Sequence, residues 1–139
     1  MAGGVLEVTL VEAQGLKNMD FFVKMNTYVV IQYGNQKHTS NVAKGSGTKP
    51  IWNEKFTFNV EYPGGEDHKY MLWFRIMDTQ KLLDHDVVVG ESKVYVKDVI
   101  ALGTERGKAE LRSAKYRVVL RDKTYAGEIS VALTFTLNS

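Results

Sequence analysis

Residues 27–42 read TYVVIQYGNQKHTSNV. Apart from Gln32, the first seven are β-branched or aromatic, a composition that suits a pleated, half-buried surface. Gly34-Asn35 then interrupts the run, and the chain returns through Gln36–Val42. Glycine and asparagine accept the left-handed backbone that a tight hairpin turn requires, so this pattern predicts two antiparallel strands.

The flanking segments extend that reading. VLEVTLVEA (5–13) sets Leu6, Val8 and Leu10 on one side, with Glu7 and Thr9 on the other. KFTFNVEY (55–62) aligns Phe56, Phe58 and Val60, and YMLWFRIM (70–77) aligns Leu72, Phe74 and Ile76. GESKVYV (90–96), KYRVVLR (115–121) and GEISVALTF (127–135) follow, the last directing Ile129, Val131, Leu133 and Phe135 inward. Short, period-two segments separated by turn residues predict an all-β, eight-stranded antiparallel sandwich, not a parallel α/β sheet. One helix is predicted in VKDVIALG (96–103), with Asp98 near its N-cap and Gly103 as its stop. No linker, internal repeat or low-complexity tract divides the chain, and a single domain over 1–139 is expected.

Composition narrows the function. The hydrophobic content is 44%, enough for a core. The absence of cysteine excludes disulfides, thiolate metal sites and a cysteine nucleophile, and favours an intracellular address. No signal peptide is visible, and no run approaches the ~20 apolar residues of a membrane span. A net charge of +2 does not by itself indicate a nucleic-acid binder. His38, His68 and His85 stand in no nucleophile or metalloprotease motif, and no glycine-rich phosphate loop opens a helix. An enzyme is not expected.

Four further segments carry a resemblance. LEVTLVEAQGLKNMD (6–20), NTYVVIQYG (26–34), TKPIWNEKFTF (48–58) and IMDTQKLLDHDVVVGES (76–92) resemble, in order and spacing, the motifs of C2 domains. SNVAKGSGTKPIWNEKFTFNVEYPGG (40–65) and KAELRSAKYRVVL (108–120) look like the small stand-alone plant C2 proteins of the elicitor-responsive and phloem-sap group. The resemblance implies the type II strand order, in which the strand that opens type I chains comes last.

It also implies a calcium site built from converging loops. The corresponding first-loop positions are Asp20 and Asn26, and the third-loop positions are Asp78, Gln80 and Asp86. Asp84 is an additional acid at a position that sometimes contributes a ligand. Two of the five carboxylates are thus amides. Because the tightness of a calcium site follows its charge count, weak binding of one ion, or none, is expected, with solvated loop acids as the alternative.

The same loops carry Phe21, Phe22 and Lys24, and Lys81, Leu82 and Leu83. Burying one such apolar side chain is worth about 1.5–3 kcal/mol, and a lysine near an anionic leaflet adds about 1 kcal/mol. These residues are expected to touch a membrane, with one member of each apolar pair free to fold back as core cover. Lys115, Arg117, Arg121 and Lys123 would share a face if their segment stays extended. The resemblance further assigns Lys37 and Lys55 to an anionic-head-group site.

The expected partner is an anionic phospholipid surface, met by a cytoplasmic monomer acting peripherally at the plasma membrane in plant signalling or defence. No small-molecule substrate is expected. The alternative is an RNA- or protein-trafficking adaptor of the phloem type, with a degenerate calcium site.

Overall fold

The computed structural model describes residues 2–20, 23–65, 68–80 and 85–138. Strand β1 (Ala2–Gln14) is followed by β2 (Thr27–Tyr33), β3 (Gln36–Thr39), β4 (Ile51–Tyr62), β5 (Met71–Asp78) and β6 (Val87–Tyr95). Helix α1 (Lys97–Arg106) precedes β7 (Lys108–Val119) and β8 (Tyr125–Leu137). The opening hairpin forms as its composition predicts, with Tyr33 paired to Gln36 across the two-residue turn.

All pairings are antiparallel, in the order β3-β2-β5-β6-β7-β8-β1-β4. Two four-stranded layers, β3-β2-β5-β6 and β7-β8-β1-β4, make up the sandwich. They are joined on one side by the single pair Glu91↔Val119. The last strand lies between β1 and β7, the type II order.

The opposite side of the sandwich is closed differently. There β3 and β4 are linked by side chains, not by a backbone ladder. The Gln36 amide donates to the Asn59 carbonyl at 2.8 Å and accepts from the Asn59 N–H at 2.8 Å. His38 Nε2 lies 2.9 Å from the Thr57 carbonyl, and the Asn41 N–H donates to the Glu54 carboxylate at 2.9 Å.

Between the layers, the inward residues pack as their alternation predicts. Leu6, Val8, Leu10, Ile31, Leu72, Phe74, Ile76, Ile129 and Phe135 are wholly buried. Fully burying each such side chain contributes about 1.5–3 kcal/mol, so this layer dominates the stability of the fold.

Two local expectations fail. Helix α1 does not stop at Gly103, and the Asp98 side chain makes no cap; its N-cap is Val96. The helix continues to Arg106 and ends at Gly107, whose φ of 91° suits glycine. Gly103 is a packing residue: a Cβ there would meet Phe135 Cδ2 at 2.5 Å. Strand β7 begins seven residues earlier than predicted, at Lys108, and ends at Val119. The chain then turns, with Leu120 N–H donating to the Thr124 carbonyl and Lys123 N–H to the Leu120 carbonyl. Arg121 and Lys123 therefore leave the strand face that carries Lys115 and Arg117.

Candidate functional site

The loops after β1, β3 and β5 meet at one end of the sandwich, because β2 and β5 are paired there, Thr27 against Asp78. Asn26 is the junction. Its backbone N–H donates to Asp78 Oδ1 at 2.9 Å. Its carbonyl accepts from the Thr79 N–H at 3.0 Å and the Thr79 hydroxyl at 3.3 Å. Its side-chain Oδ1 accepts from the Gly45 N–H at 2.8 Å. One residue thereby ties all three loops together. The loop after β3 is further held by Gly47 N–H donating to the Met25 carbonyl and Ala43 N–H to the Thr27 carbonyl.

The carboxylates have protein partners as well. Asp78 is fully buried, at 0% exposure, and its Oδ2 accepts from the Gln80 side-chain amide. Burial pushes the Asp78 carboxyl up from its ordinary value. Repulsion from Asp20 and Asp86 adds to this, and the bonds from the Asn26 N–H and the Gln80 amide oppose it. Asp86 Oδ2 accepts from the Tyr28 hydroxyl at 2.5 Å. Burial first, and then the Asp86 carboxylate, push the Tyr28 hydroxyl up to about 12. Asp20 Oδ1 accepts from the Val23 N–H at 3.3 Å.

A calcium ion requires about six to eight oxygens, most from the protein. Here Asn26 Oδ1, both Asp78 oxygens and Asp86 Oδ2 face protein donors. Gln80 must turn nitrogen, not oxygen, toward Asp78, since two oxygens would repel. Among the described residues no three carboxylate or histidine groups are arranged to hold a metal. Among the described residues, the donor set as it stands does not fit the ion. Asp84, and the expected membrane contacts Phe21, Phe22, Lys81, Leu82 and Leu83, lie outside the described residues. Lys24 is exposed beside the loop after β3.

The two proposed head-group lysines are not brought together. Lys37 pairs with Gln32 on the outer face of β3-β2-β5-β6. Lys55 pairs with Thr9 on the outer face of the other layer, 3.8 Å from Glu7.

Around Lys37 the structure reveals a feature the sequence reading missed. A groove of about 620 Å³ crosses the outer face of β2 and β5, lined by Tyr28, Val30, Lys37, Lys69, Met71, Trp73, Arg75 and Met77, among others. Lys93 Nζ sits 4.3 Å from the Trp73 ring centroid, a favourable cation–π placement. Arg75 is paired with Glu91 at 2.8 Å. The signal was present in the sequence: Trp73 alternates with buried Leu72 and Phe74, so a large aromatic must face outward.

A third cluster occupies the far end of the sandwich. Tyr33 and His68 share a 2.6 Å hydrogen bond, His68 packs edge-on against Tyr70, and the Tyr70 hydroxyl accepts from the Gly64 N–H at 2.6 Å. Tyr62 packs on Tyr70 in turn.

Comparison with known proteins agrees with this architecture. The model of the C2 domain matches residues 4–112. Elicitor-responsive protein 1 of Oryza sativa subsp. japonica is 45% identical over 143 residues, covering 100% of this chain and 89% of that protein. The 16 kDa phloem protein 1 of Arabidopsis thaliana is 40% identical, covering 99% and 87%. A solved C2 domain-containing protein from a putative elicitor-responsive gene superposes with a TM-score of 0.75 at 35% identity, covering 100% of this chain and 94% of that one.

Proposed function

From the premise that this chain belongs to the C2 domain family, we propose that it is a non-catalytic peripheral membrane-binding module. It recognises anionic phospholipid at the cytoplasmic face of the plasma membrane, through its loop tips and basic side chains, with weak or no dependence on calcium. The observation that supports this most is the groove on β2 and β5. Its floor is apolar and aromatic, Lys37, Lys69 and Lys93 stand around it, and Tyr28 carries it up to Asp86 in the loop end. Lysines in such a setting each contribute about 1 kcal/mol near an anionic leaflet. Phe21, Phe22, Leu82 and Leu83 supply apolar insertion in this reading, and Lys24 and Lys81 flank them. No step passes through a bound ion. No helix among the described residues is long and apolar enough to cross a membrane.

Sedimentation with phosphatidylserine or phosphoinositide vesicles, in calcium and in chelator, tests this. Binding is expected in both, weakening with salt. Lys37→Glu should lower vesicle affinity about tenfold, and Phe21→Ser/Phe22→Ser should lower it further. Protein that stays in the supernatant with every lipid ends the membrane reading.

A second reading, an RNA- or protein-carrying adaptor, draws on the same aromatic floor, since a half-buried tryptophan beside lysine offers a base a ring to stack on. A gel shift with steep salt dependence is its signature.

A further inference from the structure

We propose that Asn26 and Gln80 do inside the protein what a bridging cation does in a loop set built of carboxylates. They hold the three loops together permanently, so the loop end is assembled before any ion arrives and does not respond to calcium. This rests on the membrane reading above only where it predicts the behaviour of lipid contact.

The argument is one of charge and of donors. Five carboxylates on converging loops repel one another, and a bound cation relieves that repulsion. Here two of those positions are neutral, and the Gln80 amide makes a contact that a carboxylate could not. Gln80 supplies an N–H to the buried Asp78 carboxylate, where a second aspartate would only repel it. Asn26 joins the loops after β1, β3 and β5 through its N–H, carbonyl and side-chain oxygen. Tyr28 completes the arrangement by donating to Asp86. An arriving ion would compete with the Gln80 N–H, the Gly45 N–H and the Tyr28 O–H for these oxygens, and the part-buried Gln80 N–H is the donor whose loss would oppose binding most. Gln80 and Asn26 are thus positioning residues, and what they determine is the absence of an ionic requirement.

The test is the thermal midpoint in 1 mM calcium against chelator, without lipid. For the native chain the two midpoints should agree within about 1 °C, since a ligand that does not bind the folded state cannot shift its stability. The variant Asn26→Asp/Gln80→Asp keeps the acceptor for Gly45 and restores the two charges. Its midpoint should fall in chelator and rise by roughly 5 °C or more on adding calcium. A rise of several degrees in the native chain overturns the proposal, as does a folded double variant that ignores calcium. Should the double variant fail to fold in chelator, Gln80→Asp alone, which keeps the Asn26 junction intact, is scored by the same two criteria. Vesicle binding is measured separately. The expected midpoints without lipid binding would remove the membrane reading and leave this one, whereas lipid binding that appears only with calcium would overturn this one and leave of the other its lipid contact, without the weak calcium dependence.

Discussion

The two ends of the sandwich are held by opposite means. At the loop end, three segments converge on polar groups, joined by hydrogen bonds to a carboxylate, an amide or a backbone carbonyl around Asn26 and Asp78. At the far end, Tyr33, Tyr62, His68 and Tyr70 pack ring against ring, with hydrogen bonds only at their tips. The aromatic end gains from area removed from water and is insensitive to ionic conditions. The polar end gains little net free energy from each bond, but each bond left unmade is expensive. A site meant to meet a charged surface belongs at the second kind of end, because its groups respond to what approaches them.

The contrast can be broken most forcibly from the aromatic side. Tyr70→Ala removes a side chain only 8% exposed, along with the acceptor for the Gly64 N–H, and should lower unfolding free energy by about 3–5 kcal/mol. Equilibrium urea denaturation reads this directly, and a loss below about 1 kcal/mol would mean that the far end is not a packed cluster. From the polar side, Asn26→Ala should lower it by about 1–2 kcal/mol, because the side-chain bonds to the Gly45 N–H and the Lys24 carbonyl disappear while the backbone bonds remain. Were Asn26→Ala as costly as Tyr70→Ala, the distinction between the ends would collapse.

Asp78→Asn sharpens the comparison because its effect has the opposite sign and depends on pH. The native carboxyl has a folded pKa above its ordinary 3.8. The folded state therefore holds a proton that the unfolded state has released, and stability is lost as pH rises from about 3.8 through the folded value. Asparagine lacks that loss. The variant should match the native chain below this window and exceed it at neutral pH, as read from denaturation curves across the range. A variant weaker than the native chain at neutral pH would show that the bonds from Asn26 and Gln80 outweigh the cost of burial. The smallest effect is expected between the two ends: Gln36→Ala frees one exposed backbone pair and should cost about 0.5–1 kcal/mol by the same measurement.

Much of the fold could be read directly, because a strand with one buried face writes its period into the chain. The strand from Thr27 to Tyr33 has the limits its composition suggests. Gly103 misled because glycine at a helix end and glycine under a packed phenylalanine look alike in sequence, and only the position of Phe135 separates them. Whether Lys37 and Lys55 lie together was not legible in the sequence, for a topological reason. Each faces outward, but on different layers, and the layer of a strand is decided by its distant partners. At the loop end, the spacing of Asp20, Asn26, Asp78, Gln80 and Asp86 located the positions, yet not their use. An amide offers an oxygen and an N–H, and which one is engaged depends on neighbours such as Gly45, nineteen residues away along the chain from Asn26.

The side-chain seam between β3 and β4 has a consequence for the protein in a crowded solution. An open sheet edge is a template on which a foreign strand can register its own backbone, the first step of edge-to-edge aggregation. Here several of the groups such a strand would use are already taken: the backbone N–H and carbonyl of Asn59 by Gln36, the Thr57 carbonyl by His38, and the Asn41 N–H by Glu54. Glutamine and histidine thus act as chain terminators for sheet growth, at the one side of the sandwich where the backbone ladder does not close on itself.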